Sequence, residues 1–343
     1  MIKNILFIGN YGNRNVGDNA ILEELIKKYR KEFKKSKIYI ICRENIREVK
    51  KLRNVIPVKM TAGEMTSVFL GSNMVVVGGG GIFSEYVGPK AKYIPLVTIT
   101  AKLMGKRVHY DSLGFYPSTS KILTTFVRIA FILSDFISVR DHVSLEMCGW
   151  VRKYKNISLV DDPAITLKAI KKQRATEILK KENIDIGKRK LVGISIKRVK
   201  NSYLAEKVSS VFEELLRRNS NSNLMFLFIP YSRDKGGKRT EDDAYYCNKI
   251  VNKCSNSNVY ILQNEYTPSE ILGITKLLDL SICMRFHSIV FAKIAGISFV
   301  PISYAEKCHA YLSKINTKEL KIKNISYRKI ADYGDIGRKL LKV

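Results

Sequence analysis

The sequence predicts an α/β protein made of two Rossmann-like domains facing each other across a cleft. Three observations predict it. The chain has 343 residues, and at roughly 150 residues per domain that suggests about two. Short β-branched apolar runs alternate with longer segments of helical period, as parallel sheets with both faces covered require. This alternation occurs twice, once on each side of a polar, charged stretch at 168–190.

In the first half the predicted strands are Ile5–Ile8, Ile38–Cys42, Met74–Val77, Arg107–Ser112, Phe136–Val139 and Ile157–Val160. Ile21, Leu22, Leu25, Ile26, Tyr29 and Phe33 recur at helical spacing between the first two strands. Tyr93–Met104, Thr119–Leu133 and His142–Gly149 are further helix candidates. The first domain spans 1–167 and the connection 168–190, part of it helical. The second domain spans 191–326. Its strands are Leu191–Ile196, Leu224–Ile229, Val259–Leu262, Leu280–Met284 and Ser298–Ile302. Its helices are Leu204–Asn219, Glu241–Cys254, Pro268–Leu277 and Ser288–Ala295. The tail 327–343 is expected as a helix that packs back on the first domain.

Composition bounds the function classes. Hydrophobic residues make up 45% of the chain, enough to bury two cores, which excludes general disorder. Lys and Arg exceed Asp and Glu by 60 to 31, a net charge of +29. Lys-rich solvated faces explain such an excess, and so does attraction to phosphorylated substrates, to nucleic acid or to an anionic membrane face. The six cysteines form no CxxC pair, which argues for a reducing, cytoplasmic setting and against a zinc site or disulfide framework. No uncharged run is long and unbroken enough to span a membrane, and no secretory signal is evident.

Three segments could carry chemistry. Gly9–Ala20 follows a strand and opens a helix, with Gly12, Asn13, Gly17 and Asp18 as candidate lining residues. Asp18 is a candidate helix cap. The spacing is neither GxGxxG nor a P-loop, so a structural turn and a ligand-lining loop both remain open. Gly78, Gly79, Gly80 and Gly81 leave bare backbone after an apolar strand, where a ligand can approach closely. Arg285, Phe286 and His287 follow an apolar strand and precede an apolar helix. An Arg fork there matches carboxylate or phosphate, and a neighbouring His can exchange protons near neutral pH. His109 is expected as a packed or hydrogen-bonded core residue, His142 as a surface or capping residue, and His309 as a further residue that could line the cleft.

GNYGNRNVGDNAI, VVVGGGGIFSE, SVRDHVSLEMCG, DPAI and RFHSIVFAKIAGISFVPISYAEK occur in this order over residues 1–310. Together they resemble the polysaccharide pyruvyl transferase family. The resemblance implies a GT-B-like pair of domains, phosphoenolpyruvate as donor and a glycan or lipid-linked glycan as acceptor. The products would be a pyruvate ketal and phosphate. It implies His287 as acid/base and donor contacts at Arg285 and Phe286. Arg198, with Lys197 beside it, is the candidate for a further basic donor residue, and Arg140 another. The glycine segments would line the acceptor side. Phe286 stands where the family often has a small or aliphatic residue. Neither metal nor cofactor is required, and no nucleic acid is expected. Peripheral contact with the inner face of the cell membrane is in keeping with the charge. A nucleotide-sugar glycosyltransferase, with Glu265 as its ribose-reading carboxylate, and a non-enzymatic basic binding protein are the alternatives.

Overall fold

The first strand, β1 (Asn4–Ile8), buries its last four residues completely or nearly so. It starts the architecture of a computed structural model that describes residues 2–42, 49, 52, 54–83, 93–116, 121–233, 242–254, 258–315 and 325–326. The chain divides into two units, Met1–Thr166 and Leu167–Val343.

In the first unit, α1 (Val16–Glu32) follows β1, then β2 (Lys37–Cys42), β3 (Val55–Lys59), α2 (Ala62–Gly71), β4 (Met74–Phe83) and α3 (Ile94–Leu103). β5 (Arg107–Phe115), α4 (Lys121–Leu133), β6 (Phe136–Val139), α5 (His142–Met147) and β7 (Ser158–Leu159) complete it. The parallel sheet has the order β3-β2-β1-β4-β5-β6-β7. The chain steps outward from β1 to β3, then crosses back to β4, so the topological switch point lies between β1 and β4. α1 covers one face by burying Ala20, Ile21, Leu22, Leu25, Ile26 and Tyr29. Each large apolar side chain so buried contributes about 1.5–3 kcal/mol.

The second unit opens with α6 (Lys172–Lys181), which lies against α9 (Pro268–Thr275) and buries Ala175, Ile178 and Leu179. The stretch expected as a charged connection therefore contains a packed helix of this unit. β8 (Lys190–Ser195), α7 (Ser202–Arg218), β9 (Leu224–Phe228), α8 (Asp243–Val251) and β10 (Val259–Ile261) precede α9. β11 (Leu280–Cys283), α10 (Phe286–Ala295), β12 (Ser298–Ser303), α11 (Glu306–Lys314) and β13 (Ile325–Ser326) follow it. The order is β10-β9-β8-β11-β12-β13, again parallel, with the switch point between β8 and β11. The expected C-terminal helix 327–343 falls outside the described residues.

Among the described residues no helix is long and apolar enough to cross a membrane. Five of the six cysteines are buried free thiols, and Cys254 is half-buried. Burial pushes the Cys148 and Cys283 thiols up to about 12.

Candidate functional site

In the first unit the two glycine segments meet at the switch point. The loop after β1 turns through left-handed residues Gly12 (φ 68°) and Arg14 (φ 49°). Tyr11, buried in this loop, donates its hydroxyl to the Gly78 carbonyl at 2.8 Å. Asn13, also buried, donates to Asn10, whose side chain in turn donates to the Asp18 carboxylate. Asp18 is not the helix cap. Asn15 takes that place, with its side-chain oxygen accepting from Gly17 N at 3.0 Å and Asp18 N at 3.2 Å. The Asp18 carboxylate sits in the first turn instead, tied back to the loop.

Two of the four glycines answer to packing. A Cβ on Gly78 would fall 2.6 Å from Leu25, and one on Gly79 would fall 1.9 Å from Ile21. Helix α1 thus rests directly on the β4 backbone. Gly79 and Gly80 are left-handed, at φ 63° and 77°, but a Cβ on Gly80 would meet nothing nearer than Asp18 Oδ1 at 3.6 Å. Gly80 is buried as well but not pressed by α1, lying beside Asp18, and Gly81 after it is half-exposed.

Arg140 does not offer its guanidinium to a ligand. It is buried with Nη1 2.8 Å from Asp162 Oδ2 and Nη2 3.2 Å from the Tyr116 hydroxyl. Tyr116 donates to Asp141 at 2.6 Å, and Asp141 caps α5 through Ser144 N. Burial pulls the Arg140 pKa down, but Tyr116 and then the carboxylates of Asp162 and Asp141 hold it above the usual arginine range, and burial raises that of Tyr116.

In the second unit the loops after β8 and β11 carry the candidate donor residues. α10 begins at Phe286, two residues earlier than the sequence suggests, so Phe286 and His287 stand in its first turn and Arg285 is the N-cap residue. The side chain of Arg285 gives the helix no acceptor. Its Nε instead reaches Asp243 Oδ2 at 2.9 Å and Oδ1 at 3.2 Å, and Nη2 also contacts Oδ1. Asp243 accepts from Tyr231 N at 3.1 Å and Ser232 N at 3.0 Å as well, and is 1% exposed. The fork expected to hold the donor thus ties the β11–α10 turn to the β9–α8 loop.

His287 is 8% exposed, with its ring edge-on to Phe286 at 4.9 Å. Phe286 is buried, edge-on to Tyr311 at 5.3 Å, so it builds the wall that carries His287. Lys197 and Arg198, after β8, are half-buried. The Lys197 backbone N–H approaches Met284 Sδ at 3.5 Å, which ties this loop to the end of β11. Arg198 interacts electrostatically with Tyr246 of α8. His109 lies in β5 with Nδ1 3.0 Å from the Tyr29 hydroxyl, and His142 and His309 are exposed. Glu265 is exposed just after β10, the edge strand two places from the switch point.

Sequence reasoning missed Asp243, which carries no motif beyond a helix-opening Asp-Asp pair.

The model of the family described as polysaccharide pyruvyl transferase matches residues 15–306 of the chain. The chain belongs to the polysaccharide pyruvyl transferase family. The match runs from the start of α1 to the start of α11 of this pyruvyl transferase family member, taking in β4 and the β8–β11 switch point. Among curated proteins none matches the sequence significantly. Solved structures resemble the chain over its whole length at low identity. The UDP-GlcNAc 2-epimerase of Methanocaldococcus jannaschii superposes with a TM-score of 0.63 at 12% identity, covering 99% of this chain and 92% of that one. That of Neisseria meningitidis, bound to UDP-GlcNAc, gives 0.56 at 11%, covering 99% and 100%. ADP-heptose LPS heptosyltransferase II of Escherichia coli gives 0.55 at 10%, covering 99% of each chain. At such identities the likeness shows the fold, that of GT-B glycosyltransferases and sugar-nucleotide epimerases.

Proposed function

We propose that this protein transfers pyruvate from phosphoenolpyruvate to a sugar of a cell-surface polysaccharide or its lipid-linked precursor, closing a pyruvate ketal and releasing phosphate. Family membership supports polysaccharide modification. The observation that carries the finer reading is His287 in the first turn of α10, at the switch point of a parallel sheet and beside a basic loop. Ligands of such sheets sit at the carboxyl ends of the strands.

The chemistry follows from the donor. His287 delivers a proton to the methylene carbon of the enol phosphate, which becomes a methyl group. Positive charge develops at the neighbouring carbon, and a sugar hydroxyl adds there and releases its proton. The C–O bond to phosphate then breaks with the electron pair leaving on phosphate. A second hydroxyl of the same sugar adds, loses its proton and closes the ketal. A positioned acid/base contributes typically about 10²–10⁴-fold to such steps. The scheme needs neither metal nor organic cofactor. Gly80 and Asp18 in the first unit are the acceptor-lining group, with Gly12, Asn13 and Gly17 shaping their loop. A lipid-linked acceptor would bring the enzyme to the inner face of the membrane, and the net charge of +29 suits an anionic surface.

The test is phosphate release with phosphoenolpyruvate and a panel of lipid-linked or aryl glycosides. Release that requires both substrates is expected. Release of a nucleoside diphosphate with a sugar nucleotide as donor, and no phosphate release with phosphoenolpyruvate, would establish glycosyl transfer instead.

A further inference from the structure

Helix α3 of the first unit is inside out. Its buried residues are Pro95, Thr98 and Ala101, all small or polar, while Leu96, Leu103 and the cap residue Tyr93 are exposed. A surface helix ordinarily buries its large apolar stripe and offers polar residues to water. α4 packs beside α3 and exposes Ile122, Ile129 and Leu133, again at helical spacing. Leu103 is 81% exposed and Ile122 73%. Seven of the twelve strongly exposed large apolar side chains among the described residues stand on these two helices or at their ends. They therefore form a patch rather than the single scattered residues that need no explanation.

Charge decides what covers the patch. Neither helix contains an acidic residue, and their charges are Lys102, Lys121 and Arg128. Arg128 is exposed, with its guanidinium 4.9 Å from the centroid of the Trp150 ring. Arg152 and Lys153, just after Trp150, are exposed as well. A second copy of the chain on this face would bring the same basic groups together, and a net charge of +29 on each molecule opposes that pairing. An anionic surface is attracted instead. We propose that the α3–α4 face docks on an anionic lipid bilayer. Tyr93, Leu96, Leu103, Ile122, Ile129 and Leu133 enter the headgroup boundary, and Arg128 reaches the lipid phosphates from its rim. The assignment deepens the reading of a lipid-linked acceptor and rests on it. α3 follows β4 in a parallel sheet, so its first turn stands at the carboxyl edge, the edge that holds Gly80. A bilayer against α3 thus delivers a lipid-linked sugar to the edge where the acceptor-lining group lies.

Trp150 is the single tryptophan of the chain, so its fluorescence reports on this face without a label. The full chain is titrated with vesicles of phosphatidylglycerol and phosphatidylcholine whose acyl chains carry bromine, a short-range quencher. Quenching of Trp150 is expected at low salt, with binding about tenfold weaker or less to vesicles of phosphatidylcholine alone. Leu103→Gln and Ile122→Gln should each weaken binding about tenfold, the loss expected for one buried apolar side chain. Arg128→Gln should weaken it about fivefold. Tyr203→Ser removes a similarly exposed ring from α7 of the second unit and should stay within about twofold of the native protein. Melting temperatures of all four variants should match the native one, because these side chains are exposed. Native vesicle affinity in a protein carrying both Leu103→Gln and Ile122→Gln would overturn the assignment. So would sedimentation with the vesicles without any quenching of Trp150, which would put another face on the lipid. A native dimer that the double variant dissolves would give the face to a second copy and overturn it too. Vesicle binding lost as expected in the variants, in a protein that releases no phosphate from phosphoenolpyruvate, would leave the docking face standing and refute pyruvyl transfer.

Discussion

The Arg285 guanidinium shares the Asp243 carboxylate with two backbone N–H groups, those of Tyr231 and Ser232. The pair is almost wholly buried, at 11% and 2% side-chain exposure. Removing one member of such a pair leaves an uncompensated charge in a poorly solvated place and costs about 3–5 kcal/mol. Asp243→Asn should therefore lower the urea midpoint by about 1 M or more. Arg285→Lys should do so too, because an ammonium cannot span both carboxylate oxygens. Unchanged midpoints for both variants would show that the pair does not set the turn.

His287→Gln should keep the fold and lower turnover about 10²–10⁴-fold. The ring also packs against Phe286, so a loss of stability of about 1 kcal/mol is expected beside the kinetic effect. Circular dichroism with the phosphate-release assay separates the two. A folded variant with native turnover would remove His287 from the chemistry.

The four-glycine run makes a contrast between neighbours. In Gly79→Ala the added carbon has no room against Ile21, and the φ of 63° adds strain. That variant should lose more than about 2 kcal/mol or fail to fold. Gly80→Ala meets only ordinary van der Waals contact with Asp18 Oδ1 at 3.6 Å and should lose only about 1–2 kcal/mol of backbone strain. If Gly80 lines the acceptor, its variant should raise KM for the glycoside while KM for phosphoenolpyruvate stays put. Native kinetics in a folded Gly80→Ala would leave the run a packing device alone.

Burial lowers the His109 pKa from its usual 6.5 to about 4, against the opposing pull of Asp111 and Asp135. The unfolded chain therefore binds this proton first as pH falls. Stability from the group is complete above about pH 6.5, declines down to about pH 4 and is flat below. The loss amounts to about 2 kcal/mol once partial solvent screening is allowed for. Urea midpoints at several pH values should show a shallower slope for His109→Gln than for native protein. Identical slopes would place the acid sensitivity elsewhere.

Binding to anionic vesicles should be strong at low salt and weak at high salt, since charge attraction fades within a Debye length. The segment 168–190 holds nine basic and three acidic residues. Binding to neutral vesicles that ignores salt would refute this electrostatic account and point to the exposed Leu103 and Ile122 of α3 and α4.

The strands were legible because parallel strands buried on both faces are continuous apolar runs. Phe136–Val139 matches residue for residue, and most other boundaries shift by one or two. β3 escaped notice because Pro57 breaks its run, which an edge strand tolerates. α2 escaped because it buries no residue fully and shows no apolar stripe. β4 continues through glycines that look like a loop, since their lack of side chains serves α1. The motif residues were readable as a group, but their roles were not. Whether Arg285 meets a ligand or Asp243 depends on a contact across 42 residues of sequence, which no local pattern encodes.

The buried thiols also make the protein its own clock. A thiol held near 12 is almost entirely protonated at neutral pH and cannot attack an alkylating reagent until its surroundings open. Cys148 belongs to the first unit and Cys283 to the second. Timed alkylation followed by peptide mapping would therefore report the opening of each unit separately, without a single engineered label.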